Sequence, residues 1–316
     1  MKPAVFLSLR RDKMHKVRHF LDIDIMPPLV LRQIIDDAKK IKADHLGGSS
    51  LKTCKGKTLV CVFEKPSTRT RVSFQVAMQQ LGGYVVLLDD SNFHMGYTES
   101  ISDTARTLSR YANAIMLRTD NPEKLHNLAR HSSIPVINGL TDFSHPCQIM
   151  ADILTFEEHK GSIKGKNIAW SGDGNNVLTS WIHAAVHFGF EFQIGCPVSR
   201  QPPPHIIEWG LKHGGSIKLF DSAKKAVEGA DLVLTDTWVS MGDENTEARR
   251  NILAPFKVTQ ELMSFAANDA IFMHCLPAHR GEEVTDEVLD GDQSVIWDEA
   301  ENRLHIQKSI LTWCLS

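Results

Sequence analysis

The chain is 316 residues long, 42% hydrophobic and 23% charged, with a formal net charge of −3. That length suffices for one large domain or two ordinary ones, each with a real core, and the near-neutral balance gives no global attraction to nucleic acid. No apolar run approaches membrane-spanning length.

The first seventeen residues carry Lys2, Arg10, Arg11, Lys13 and Lys16 against Asp12. The stretch is short and poor in serine, so an upstream start or a short disordered tail is favoured over a transit peptide. Pro27-Pro28 opens a first helix with Leu31, Ile34, Ala38 and Ile41 at helical spacing, ended by the loop Gly47-Gly48-Ser49-Ser50. Thr58 to Phe63 reads as a strand. The polar turn Glu64-Lys65-Pro66-Ser67-Thr68-Arg69-Thr70-Arg71 then opens a helix carrying Val72, Val76 and Ala77 on one side. Tyr84 to Leu88 is a second, buried strand. A polar loop with His94 runs from Asp89 to Thr98, and Ile101, Ala105 and Leu108 mark a helix. Ala114 to Leu117 is a strand ending on Arg118, a helix follows Asn121-Pro122, and Ile134 to Ile137 is a short strand. Pro146 begins a helix reaching about Glu158 that bridges two halves.

The rhythm repeats beyond Gly161. Strands are expected at Asn167 to Trp170, Phe190 to Ile194, Ser216 to Leu219, Asp231 to Thr235 and Ala270 to His274, with a last helix over roughly Arg303 to Cys314. This alternation predicts an α/β protein of two doubly wound domains, each a mostly parallel sheet covered by helices and joined by bridging helices. Six scattered cysteines without a C-x-x-C suit a reducing compartment better than a disulfide framework. Fifteen histidines give no H-E-x-x-H spacing. His274-Cys275 with His279 spans a tight turn with no fourth ligand near, so no metal is expected. Gly172-Asp173-Gly174-Asn175-Asn176 sits between a strand and a helix but lacks the third glycine of a dinucleotide fingerprint.

The turn after the first strand carries the most chemistry. A helix N-terminus offers unpaired N–H groups and a positive dipole end. Ser67, Thr68 and Thr70 add hydroxyls, and Arg69 adds a fork able to grip a phosphate. The plain alternative is a capping serine followed by two surface arginines.

Ser67-Thr68-Arg69-Thr70-Arg71 after Phe63-Glu64-Lys65-Pro66 resembles the carbamoyl-phosphate motif of the aspartate and ornithine carbamoyltransferases. His145-Pro146-Cys147-Gln148, Asp236-Thr237-Trp238-Val239-Ser240-Met241-Gly242 and His274-Cys275-Leu276-Pro277-Ala278 follow in that family's order, and the resemblance runs from about Arg18 to the C-terminus. The last two segments look like the ornithine-specific pair. The resemblance implies a carbamoyl-phosphate domain over 1–147, with the C-terminal helix of about 303–316 packing back on it, and an ornithine domain over 148–302. It implies transfer from carbamoyl phosphate to the δ-amine of ornithine, giving citrulline and phosphate, in a cytoplasmic homotrimer or multiple of trimers. No cofactor, metal, nucleic acid or membrane is called for.

Such a transfer has three demands. The leaving phosphate must be neutralised, the carbamoyl oxygen polarised as charge builds on it, and the amine delivered unprotonated. The resemblance assigns the phosphate to Ser67, Thr68, Arg69 and Thr70. Arg118, in Met116-Leu117-Arg118-Thr119, joins as a phosphate and carbamoyl-oxygen ligand, although by position alone it would be a solvated strand end. His145 fits the carbamoyl oxygen and Gln148 can read the carbamoyl NH2. The Cys275 and Leu276 carbonyls can accept from the same NH2, and Arg303 resembles the family's late arginine at the carbamoyl oxygen. Asn176 and the Ser240-Met241 backbone suit the α-groups of ornithine. Asp236 suits its δ-ammonium with Cys275 beside it, rather than Cys275 as a nucleophile. His94 stands where many relatives have Gln, and Thr98 where they commonly have a basic residue. That loop reaches a neighbouring subunit in the family, or else is plain mobile surface. No general base is apparent, so the leaving phosphate can take the last proton. A catalytically silent paralogue and a nucleotide-dependent oxidoreductase remain as other readings.

Overall fold

A computed structural model describes residues 17–49, 52–89, 95–96, 99–239 and 246–316. His94, Ser240 and Met241 lie outside them, as does the basic stretch 1–16.

The first half alternates helix and strand as its periodicity requires. Helix α1 is Pro28–Leu46, followed by β1 (Thr58–Phe63), α2 (Thr68–Gln80), β2 (Tyr84–Asp89), α3 (Ile101–Tyr111), β3 (Ala114–Arg118), α4 (Pro122–His131), β4 (Val136–Leu140) and α5 (Pro146–Lys160). Its four strands are parallel, in the order β2-β1-β3-β4. The second half runs β5 (Asn167–Ser171), α6 (Asn176–Phe188), β6 (Glu191–Gly195), α7 (Pro204–Lys212), β7 (Ser216–Phe220), α8 (Ala223–Val227) and β8 (Leu232–Thr235). It continues through α9 (Thr246–Leu253), α10 (Gln260–Met263), β9 (Ile271–His274), α11 (Asp286–Leu289) and α12 (Ile296–Leu315). These five strands are also parallel, in the order β7-β6-β5-β8-β9. The expected class, two helix-covered parallel sheets, is the one observed.

Three local readings need correction. β2 is an edge strand rather than a buried one, with Tyr84 65% and Val86 45% exposed, because nothing pairs beyond it in the sheet. The buried face of α2 is Thr70, Phe74, Ala77 and Met78, while Val72 is 53% exposed. The i, i+4 and i+7 spacing from Thr70 defines that stripe, not the valines. β4 begins two residues later than expected, since the chain must clear Pro135, whose carbonyl accepts from Ile115 N at 2.8 Å.

Strand order reverses between β1 and β3 in one sheet and between β5 and β8 in the other. Such switch points open a crevice beyond the strands' carboxyl ends, where ligands of α/β proteins bind. Two helices join the sheets. α5 is buried along most of its length, and α12 packs on α1, α2 and α5. α12 starts at Ile296, about two turns before the expected point, because Ile296 is buried against Ala169, Phe272 and their neighbours in the second half's core. Asp298 and Glu299 also suit its first turn.

Glu157 of α5 is the main ionic tie to α1. Its oxygens accept from Arg32 Nη1 and Nη2 at 2.8 and 2.9 Å and from Lys39 Nζ at 2.7 Å. Burial works to raise this carboxyl, but the hydrogen bonds from Arg32 and Lys39 outweigh it and hold the group below the usual carboxylate range. The tie therefore contributes stability above the unfolded carboxyl's titration and loses it as pH falls through the lower folded value. Glu157→Ala should cost about 2 kcal/mol, given that both cations are partly solvated. Urea midpoints should show that loss at neutral pH, and the gap from the parent should shrink in acid.

Candidate active site

Among the described residues, hydrogen bonds link the predicted residues Thr70, Arg118, Gln148 and Arg303, and separately Asp236 and Cys275. Ser67 is the N-cap of α2, and its side chain makes no capping hydrogen bond. Thr70, one turn in, is 1% exposed. Its Oγ1 accepts from Arg303 Nη2 at 2.8 Å and from Arg118 Nη1 at 3.2 Å. Arg118 arrives from the end of β3 and Arg303 from the buried face of α12. Arg69 lies close enough to bear on the charge of both. Burial, then Arg303 and Arg69, bring Arg118 down to about 10. Among the described residues Arg118 and Arg303 donate only to neutral acceptors, Thr70 and Gln148, and both Nε atoms are buried without a partner. Three guanidiniums that raise one another's energy, with no carboxylate bonded to the inner two, make a receptor for an anion of more than one charge.

His145 caps α5, and its backbone N–H donates to Ser180 Oγ of α6 at 2.8 Å. The residue is 4% exposed, and among the described residues its Nδ1 has no hydrogen-bond partner. Burial first, then Arg303 and Arg118, hold it well below the usual imidazole range, so it is a neutral hydrogen-bonding group. The Gln148 Oε1 accepts from Arg303 Nη1 at 2.8 Å, and its Nε2 donates to Asp152 Oδ1 at 2.8 Å and Glu299 Oε1 at 3.0 Å. With both amide hydrogens engaged it organises that arginine, and its oxygen keeps a second lone pair able to accept from a carbamoyl NH2.

The second sheet supplies the opposite wall. Asp236, just past β8, is 6% exposed. It accepts from Cys275 Sγ at 3.0 Å, Asn175 Nδ2 at 2.6 Å and Thr237 N at 2.8 Å. Burial and then the Asp236 charge push the Cys275 thiol well above its ordinary range. It is a thiol donor and not a thiolate nucleophile. Leu276 follows with φ of 57°, its N–H donating to His274 Nδ1 at 2.9 Å. Asn176 opens α6 and its Nδ2 donates to the Thr141 carbonyl of the first half at 2.7 Å. Thr68 is the first residue of α2, next to its N-cap Ser67.

Sequence reasoning missed Asn175, which caps α6 through Val177 N and Leu178 N while holding Asp236. An Asn before a helical run is a capping signal, but its second partner is sixty residues away. It placed Cys275 beside Asp236 but missed that His274 joins them, one ligand-type atom from each lying within 4.8 Å of the others. Those atoms are engaged: the thiol donates to Asp236, and the His274 ring meets Leu276 N and Glu283 Oε1. The glycines of the 172–176 loop serve packing. A Cβ on Gly174 would fall 2.5 Å from Arg200 O and Pro202 N. Asp173, paired with Arg200 at 3.0 Å and with Arg249, places a carboxylate where a pyrophosphate reader would want none.

Residues 18–158 match the family model described as the aspartate/ornithine carbamoyltransferase carbamoyl-P binding domain, and residues 164–314 match that of its Asp/Orn binding domain. The chain belongs to the aspartate/ornithine carbamoyltransferase family. A protein named ornithine carbamoyltransferase from Agrobacterium fabrum is 54% identical over 298 residues, 94% of this chain and 98% of that one. Among solved structures, the ornithine carbamoyltransferase from Pyrococcus furiosus superposes with a TM-score of 0.90 at 45% identity, over 93% of this chain and 96% of its own. That from Burkholderia thailandensis gives 0.88 at 40%, over 95% and 99%. For a carbamoyltransferase, the arginine cluster should be satisfied by a phosphate dianion. Inorganic phosphate at about a hundredfold over its Kd should stabilise the fold by about 2.7 kcal/mol. Thermal melts of Arg118→Gln should show that gain largely lost.

Proposed function

We propose that the chain transfers the carbamoyl group of carbamoyl phosphate to the δ-amine of L-ornithine, giving L-citrulline and phosphate. The observation that carries this is the pairing of two opposed ligand sets, Arg118 and Arg303 converging on Thr70 with Arg69 nearby, against Asp236 bonded to Cys275. The names of the relatives support the same reading. Residues 1–147, completed by the C-terminal helix, hold carbamoyl phosphate, and residues 148–302 hold ornithine.

Arg69 with Ser67, Thr68, Thr70 and the first N–H groups of α2 binds the phosphate and neutralises it as it leaves. Arg118, Arg303 and the neutral His145 ring donate to the carbamoyl oxygen, where negative charge accumulates during attack. The Cys275 and Leu276 carbonyls and the Gln148 amide oxygen accept from the carbamoyl NH2. Asp236 orients the δ-nitrogen, and the Cys275 thiol holds Asp236 in place. Asn176 with the segment around Ser240 and Met241 takes the α-groups. The leaving phosphate accepts the final proton. A carboxylate at Asp236 suits a cationic acceptor and disfavours aspartate.

Copies of the chain assemble as a cytoplasmic homotrimer or a multiple of trimers. Exposed Val72, Tyr84 and Val86 on α2 and the edge strand support burial against another copy. Light scattering should give three times the chain mass or a multiple of that, and a monomer at assay concentrations would remove that part of the reading.

Citrulline-type product should form with ornithine and not with aspartate, acetylornithine or putrescine. Turnover of another amine would overturn the acceptor, and carbamoyl-phosphate binding without any turnover would favour a silent paralogue. Asp236→Asn should lower kcat/KM for ornithine by about a hundredfold, while carbamoyl-phosphate affinity holds. Where chemistry limits, the rate should rise with pH as the bound amine loses its proton. His145, already neutral, adds no inflection of its own.

A further inference from the structure

Beneath the arginines lie two carboxyls that no step of the transfer uses. Asp152 of α5 and Glu299 of α12 are 2% and 1% exposed. Both accept from the same Gln148 amide nitrogen, at 2.8 and 3.0 Å, and they are within hydrogen-bond reach of each other. Glu299 also accepts from the His274 backbone N–H at 2.9 Å, beside Cys275. The charged or titratable groups facing the pair are Arg303 from its own helix α12, Asp236 from the end of β8 and Cys275 from the end of β9. Arg303 is the one cation among them, and its Nη1 is turned to Gln148 Oε1 rather than to either carboxyl.

Two ionised carboxylates held on one amide nitrogen in a buried site repel each other strongly. A single proton between them turns that repulsion into a hydrogen bond. Burial pushes both carboxyls up, and the Asp152 charge pushes Glu299 further. With two acceptors on one side and a guanidinium on the other, the Gln148 amide has one satisfied orientation. Flipped, it would set oxygen against oxygen and N–H against N–H.

We propose that Asp152 and Glu299 share one proton and act together as a positioning pair, fixing the Gln148 amide and, through it, aiming Arg303 at Thr70 and the carbamoyl group. The Arg303 part rests on the proposed transfer, whereas the shared proton does not. Because Glu299 also holds the His274 amide, the pair ties the arginine's aim to the strand that carries Cys275.

Infrared difference spectroscopy on the full-length protein near neutral pH reads the proton directly. A buried carboxylic C=O stretch, sensitive to deuterium, is expected in the parent and absent from Asp152→Asn and Glu299→Gln. Its absence from the parent would overturn the shared proton, whether or not any amine is carbamoylated. Kinetics read the positioning. Asn at 152 can still accept from Gln148 and donate to Glu299, so Asp152→Asn should keep kcat within about threefold, while Asp152→Leu should lose more than about tenfold with KM for ornithine little changed. Equal losses in the two variants would overturn the positioning role. Should Asp152→Leu fail to fold, Glu299→Gln against Glu299→Leu makes the same comparison.

Discussion

Holding three like charges at one point is the constraint around which this molecule is arranged. Arg118 and Arg303 come from a strand end and from the last helix, more than 180 positions apart, and meet on one hydroxyl, that of Thr70. Left to themselves such groups would turn to water. They are kept inward by burial of their stems and by neutral acceptors that bind a guanidinium without cancelling its charge. A carboxylate partner would have satisfied either arginine better and made it useless to an incoming anion. The acids near the site are set one residue further back, behind the Gln148 amide, or across the crevice at Asp236.

That arrangement depends on the two parallel sheets presenting their carboxyl ends to each other. Neither sheet alone brings both charge signs to one place. Short side-chain bonds stitch the halves at the crevice itself: Ser180 to the His145 backbone, and Asn176 to the Thr141 carbonyl. Both come from the first turns of α6, so the segment assigned to the amino acid and the segment assigned to the carbamoyl oxygen share a mechanical base. The His145 imidazole stays neutral because of where those stitches put it, enclosed and beside two arginines.

Much of this was legible in the sequence. Strand and helix alternated clearly enough to give two parallel sheets, and β1 fell on the residues expected, since Thr58 to Phe63 is an unbroken apolar run bounded by polar turns. Arg69 stood out by the hydroxyl-rich turn around it, whereas Arg118, Arg303 and Asp236 came through the family resemblance, since their local residue types alone read as ordinary surface or strand ends. What stayed hidden was relational. Gln148 looked like a free amide because its partners, Arg303, Asp152 and Glu299, are contributed by tertiary contacts that no local spacing encodes. Asn175 showed its capping role but not its grip on Asp236. Tyr84 to Leu88 looked buried because composition cannot tell a central strand from an edge, which depends on where the next strand is laid down.

Helix α12 carries a consequence for how the protein is made. Ile306, Ile310, Leu311 and Cys314 complete the same core as Leu31, Ile34, Phe74 and Met78. The first half therefore cannot close its hydrophobic interior until α12 has been made, long after its own strands are available. During that interval the inner faces of α1, α2 and α5 are uncovered, a state prone to aggregation. A nonsense codon at Ile296 would spare every described strand of both sheets and still remove Arg303 together with the lid on that interior.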